Sequence, residues 1–324
     1  MRLRLAATVS LLAAAAAFDA AASAAEEYDA VDLRMTGVVG LIDIETADVD
    51  RVSVTFEPGE GLAAAPQFAV REGELHVTQL SDGARRMVWA ECRDPESAPE
   101  MRFIDRPHRF WGRAPNSFRR SSGDGDPGVA LNEFHPVADY GRWVIRVPAA
   151  GKVTVAAGGV TGRIGDVAEL DLEVGYCGDV AVGDVAGDAR IAISGTGDVM
   201  AGAIGGALTA SVNGVGDIGA GRVAQGLDAQ INGVGDIEVA AVEGGDIDAA
   251  IHGAGDIAVL AGEAERLRAT IHGVGDVSFR GVAFQVDSEI YGAGDIYVNE
   301  VQGGVNGQSM GAGRVHVLRD ERPS

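Results

Sequence analysis

The sequence predicts an all-β protein, a right-handed parallel β-helix with 19–20 residues per coil and an N-terminal β-strand segment as a cap. Three observations carry this. A turn Gly-x-Gly-Asp followed by Val or Ile recurs with its aspartate at Asp179, Asp198, Asp217, Asp236, Asp256, Asp276 and Asp295, the first copy carrying Tyr176 in place of the first glycine. The steps are 19, 19, 19, 20, 20 and 19 residues, and a degenerate copy, Gly311-Ala312-Gly313-Arg314, ends the series. A fixed period near 20 residues is the mark of a solenoid, whose units bury an apolar face only by stacking on their neighbours. Second, aliphatic residues fall into columns around that aspartate: five residues before it stand Val174, Ile193, Val212, Ile231, Ile251, Ile271 and Ile290. One residue after it stand Val180, Val199, Ile218, Ile237, Ile257, Val277 and Ile296. Third, 47 glycines and only 5% aromatics suit tight coils with small inward side chains.

Taken in order, residues 1–25 read as a signal peptide. Arg2 and Arg4 precede an apolar run from Leu5 to Phe18 and an Ala22-Ser23-Ala24 cleavage site. The run is too short to favour a membrane span. Residues 26–80 alternate apolar and polar side chains in short runs, among them Val52-Ser53-Val54-Thr55-Phe56 and Leu75-His76-Val77, as half-buried strands do. Residues 81–141 lose the alternation and form an Arg-rich loop insertion. It holds Arg102, Arg106, Arg109, Arg113, Arg119 and Arg120 among Phe103, Phe110, Trp111 and Phe118. Docking on the acidic rod of its own chain is the expected use of this segment, with an anionic envelope polymer as the second reading. Strand character returns at Trp143–Val147, and the repeats occupy 142–318, leaving 319–324 as a C-terminal tail.

The formal charge is −22. Residues 151–324 contain 10 basic and 25 acidic side chains, a surface that repels nucleic acid and anionic lipid. There are two cysteines, Cys92 and Cys177. Their contexts are unrelated; export leaves a bridge open, but a small buried residue is the preferred reading of Cys177. It occupies the x of the turn, where other coils carry Thr196, Val215, Val234, Ala254 and Val274, all expected to face inward.

With these residues in view, the chain resembles the head GIN-domain family of exported bacterial proteins, named for auto-transporter adhesin heads. The resemblance rests on the strands at Val38–Phe56 and Leu75–Val77, the strand and proline at Arg142–Pro148, and the repeated Gly-x-Gly-Asp coils. It implies a β-helix and an adhesin-like role, and it brings no catalytic residues with it. The sequence stops at Ser324 with no translocator barrel, a departure from a true auto-transporter.

Two columns are candidate sites. The aspartates Asp198, Asp217, Asp236, Asp256, Asp276 and Asp295 are the weak metal candidates, since stacked carboxylates repel unless compensated and a row of calcium ions would do so. The favoured reading is structural, each carboxylate accepting hydrogen bonds from the backbone of its own turn. The second column, four residues before the aspartate, faces outward and holds Asn213, Asn232, His252, His272 and Tyr291 as candidate ligand-face residues. An adjacent His pair without a completing carboxylate or Cys is a poor transition-metal set. No nucleophile elbow, zinc-protease helix or phosphate loop appears. The acids, one per coil, do not form the close carboxylate pair that glycoside hydrolysis needs. The reading is a non-catalytic envelope module, periplasmic or at the cell surface, with a glycan or protein partner and no cofactor; the alternative is a polysaccharide lyase or hydrolase.

Overall fold

In a β-solenoid, each inward position of one coil must sit in register over the same position of the next. The columns read from the repeats do this. In the computed structural model, residues 25–59, 65–79, 90–91 and 135–320 are described. They are nearly all β, with 67% strand, and wind into a solenoid of about nine turns. One ladder of parallel pairs runs Leu170, Ala189, Leu208, Leu227, Ile247, Leu267, Val286 and Val305. A second runs Val180, Val199, Ile218, Ile237, Ile257, Val277, Ile296 and Val315. Single bridges through Val185, Ile204, Val223 and Val242 mark a third side. Every coil is thus a triangle of short strands whose apolar corners meet in the bore.

The bore is dry and aliphatic. Ile193, Val212, Ile231, Ile251 and Ile271 are each 0% exposed, and burying such a side chain stabilises by roughly 1.5–3 kcal/mol. Successive strands lie about 4.8 Å apart, so the walls repeat at the spacing at which aliphatic side chains touch.

The first coils do not follow chain order. Strand Asp32–Thr36 lies between Glu74–Thr78 and Lys152–Ile164, so that Leu75, Leu33 and Val153 continue the first ladder into Leu170. Val39–Ala47 likewise lies between Gly141–Pro148 and Lys152–Ile164. Strands from the 26–80 segment are therefore rungs of the same stack. Beyond them the pairing turns antiparallel: Gln67–Arg71 on Glu74–Thr78, Val52–Pro58 on Gly141–Pro148, and Glu26–Tyr28 on Val52–Pro58. The largest buried side chain here, Trp143, is 0% exposed. It packs on Phe56 at 4.2 Å between ring centroids and donates its indole N–H to the carbonyl of Val39 at 3.4 Å.

At the other end the bore columns turn polar. Val286 and Ile290 pair with Val305 and Ser309, and Ser288 pairs with Gly307, so two inward columns finish in Gly and Ser. Terminal repeats of solenoids depart from the consensus in this way because their outer face meets water.

Two expectations are corrected. The x of the turn does not face inward: Val215, Val234 and Val274 are 52%, 54% and 61% exposed. With glycine on both sides, this residue is lifted onto the outside of the corner. Cys177 is the exception, buried at 2%, and it is disulfide-bonded, against the unbridged reading. Cys92, the arginines of 81–141 and the signal segment lie outside the described residues.

Candidate functional site

The aspartate column is a structural device, and its geometry differs from a self-contained turn. Asp236 Oδ1 accepts the backbone N–H of Asp256, in the next coil, at 2.7 Å. The same bond repeats from Asp198 to Asp179, Asp217 to Asp198, Asp236 to Asp217, Asp276 to Asp256, Asp295 to Asp276 and Arg314 to Asp295, at 2.7–3.0 Å. Each carboxylate therefore satisfies the following coil's turn, not its own. Stacking at one strand spacing places the next N–H within reach of the side chain, which local sequence offsets do not reveal. The device recurs at two other corners, where Asp184 accepts from Ala203 and Asp188 from Ala207.

Burial raises the carboxyl pKa of Asp217 and of Asp236; their backbone donors pull it down, and neighbouring aspartates add to the rise. At the solvent end the backbone N–H of Arg314 leads in holding Asp295 below the usual carboxylate range. For Asp236 the sign follows: a folded-state pKa above the unfolded one means that ionisation costs stability. That cost is fully present above the raised pKa and is relieved as pH falls to the ordinary value near 3.8. Asp236→Asn keeps the acceptor and removes the charge, so it is expected to raise the urea midpoint at pH 7, with the gain shrinking towards pH 4. Asp236→Ala leaves the Asp256 N–H without its acceptor and is expected to cost about 1–2 kcal/mol. Equal midpoints for the two variants would contradict this account.

Among the described residues, no group of three or more His, Cys, Asp or Glu side chains gathers where it could hold a metal ion. A shallow depression of about 770 Å³ is lined by Asp32, Arg34, Arg71, Glu72, Glu74 and His76. Two of its three acids are engaged: Glu74 pairs with Arg34 at 3.0 Å and His76 at 2.9 Å, and Asp32 accepts the Lys152 N–H at 2.8 Å.

The outward column is assembled as the repeat spacing suggests. Asn232 Nδ2 donates to Asn213 Oδ1 at 2.9 Å. The rings of His252 and His272 stack at 5.2 Å and 10°, and His272 and Tyr291 at 4.7 Å and 19°. Ring faces are therefore spent on one another, and what points to solvent is ring edges. The next residue of the column, Met310, is 70% exposed.

Sequence reasoning missed the column beside it. Val215, Val234, Ala254 and Val274 stand on the same outward corner, separated from Asn213, Asn232, His252 and His272 by one glycine each. That glycine lets the corners stack: a Cβ on Gly233 would lie 1.9 Å from the carbonyl oxygen of Gly214. On the other flank stand Ser211, Gln230, Ala250 and Thr270, partly exposed. The signal was available, because a residue between two corner glycines alternates with neither wall of the bore.

Residues 223–320 match the family model described as "Putative auto-transporter adhesin, head GIN domain". This is the family that the sequence resembles. The matched residues span the C-terminal coils, including His252, His272 and Tyr291. Three solved structures align over most of the chain. A "putative adhesin" from Bacteroides fragilis NCTC 9343 is 14% identical, covering 91% of this chain and 96% of that one, with a TM-score of 0.37. A "putative adhesin" from Parabacteroides distasonis ATCC 8503 is 15% identical over the same shares, with a TM-score of 0.42. A "putative lipid binding protein" from the same organism is 13% identical, covering 93% and 96%, with a TM-score of 0.40. No curated protein matches the chain. Among the described residues no helix is long and apolar enough to cross a membrane.

Proposed function

We propose that the chain is an exported, non-catalytic solenoid that serves as an adhesin-like binding module of the bacterial envelope, in the periplasm or at the cell surface. The observation that carries this reading is the outward ladder from Asn213 to Tyr291, held on a rigid rod with its ring edges in solvent. The family match at 223–320 supports it, and so does the N-terminal pattern of basic residues, apolar run and Ala-Ser-Ala site. The carboxylates that a β-helix hydrolase would use are spread one per coil and accept backbone N–H groups, which favours structure over acid–base chemistry.

Purified mature protein incubated with isolated envelope polysaccharide is expected to be retained without releasing new reducing ends. Reducing ends appearing in proportion to protein would replace this reading with a lyase or hydrolase. Neither chelator nor calcium is expected to shift the melting temperature, since among the described residues no group of three or more His, Cys, Asp or Glu side chains gathers where it could hold an ion.

A further inference from the structure

Resting on the binding-module reading, we infer that its contact surface is the charge-free corner strip and that its ligand is an uncharged, hydroxyl-rich polymer chain, a neutral glycan. The argument begins with charge. On a protein of net charge −22, the three neighbouring outward columns carry no Asp, Glu, Lys or Arg through the four coils from Ser211 to Val274. Solvated acidic side chains cover much of the remaining rod, so a strip without them is the surface that a neutral partner meets at least desolvation cost.

Chemistry narrows the partner. The polar side-chain atoms of His252 and His272 have no hydrogen-bond partner among the described residues, and they offer both donors and acceptors one coil apart; Tyr291 continues the column into the next coil, where Glu289 ends the charge-free strip. Val215, Val234 and Val274, one glycine away from Asn213, Asn232 and His272, are 52–61% exposed and offer apolar contact along the same strip. A polyol chain has both surfaces, hydroxyls on its rim and C–H groups on its faces. A polyanion is repelled by the net charge, and a polycation would settle on the acidic faces instead. Because the ring faces are stacked on each other, sugar contacts would come from ring edges and from the valines.

Shape excludes a protein partner on this strip alone. With coils about 4.8 Å apart and alternate residues about 6.7 Å apart along a strand, the strip measures roughly 20 Å by 13 Å. A stable protein interface buries about 800 Å² per partner, several times this area. A long narrow surface parallel to the rod suits an extended chain.

The test is affinity electrophoresis of the full mature chain in gels containing dextran, galactomannan or mixed-linkage β-glucan, with alginate as the anionic comparison. At least one neutral polymer is expected to retard the protein, and alginate none. Asn232→Ala with His272→Ala is expected to weaken that retardation at least tenfold at unchanged melting temperature, and Val234→Glu with Val274→Glu to abolish it. Retardation by no neutral polymer, or equal retardation of the variants, would overturn the inference. If the variants still bind isolated envelope as the parent does, the module reading stands and the strip does not. A dimer in sedimentation that the two glutamates dissolve would assign the strip to a second copy and overturn the glycan.

Discussion

Gly235→Ala is expected to lower the unfolding free energy by about 3 kcal/mol or more. Gly235 has φ +151°, and a Cβ there would stand 1.8 Å from the carbonyl oxygen of Gly216 in the preceding coil. The atom in the way is backbone, held in a stack with the same glycine above and below, so no rotamer change relieves the contact. The coil must move outward, which strains the Gly235 N–H bond to the Ala254 carbonyl at 3.0 Å and the Asp256 N–H bond to Asp236 at 2.7 Å. Gly304, where a Cβ would meet nothing within 4 Å, is the control, and Gly304→Ala is expected to change stability by about 0.5 kcal/mol or less. Urea unfolding followed by far-ultraviolet circular dichroism reads both. A Gly235→Ala midpoint equal to that of Gly304→Ala would mean that the coils yield freely at the turn.

The second large effect concerns the bore. Ile231→Ser removes three carbons from a side chain that is 0% exposed and puts a hydroxyl among aliphatic groups, with Val212 and Ile251 as its ladder neighbours. The lost burial, the cavity and the unpaired hydroxyl together predict a cost of about 3–5 kcal/mol. The same residue type is native in the same column at Ser309, paired with Ile290 and exposed, in the last of the described coils. Ser309→Ile gives up only the exposed bond from Ser309 Oγ to the Gly313 carbonyl at 3.0 Å, and is therefore expected to cost about 1 kcal/mol or less. It extends the apolar column to a free strand edge and should promote self-association at high protein concentration. Matching losses at positions 231 and 309 in thermal melts would contradict an open-ended bore. Light scattering that finds the Ser309→Ile variant monomeric would show that the last coil is shielded by something else.

Most of the bore was legible because one period fixed it. Once Asp179 and Asp198 are aligned, Val174 must lie under Ile193, and a one-residue slip would send the whole aliphatic set outward. The Asn213-to-Tyr291 ladder was legible for the same reason. The x column was misread because simple alternation was carried through a corner. Between two glycines the backbone turns, and the side chain of Val234 leaves the bore. The carboxylate bonds were assigned to the wrong partner for a related reason: sequence offsets describe neighbours along the chain, whereas Asp236 bonds a residue twenty positions away.

By itself, then, the sequence determined the period, the composition of the bore and the identity of the outward ladder, since each follows from repetition and needs no knowledge of what lies beside a coil. Tertiary structure decided the rest. It interleaved Asp32–Thr36 between Glu74–Thr78 and Lys152–Ile164, reversed the strand pairing at that end, and turned a column of aspartates into donor-matched supports for the next coil. It also set a charge-free strip of valines, amides and ring edges along one corner. These features arise between segments that a single repeat does not contain, where strand pairing fixes which groups come within hydrogen-bonding distance and which are left to solvent.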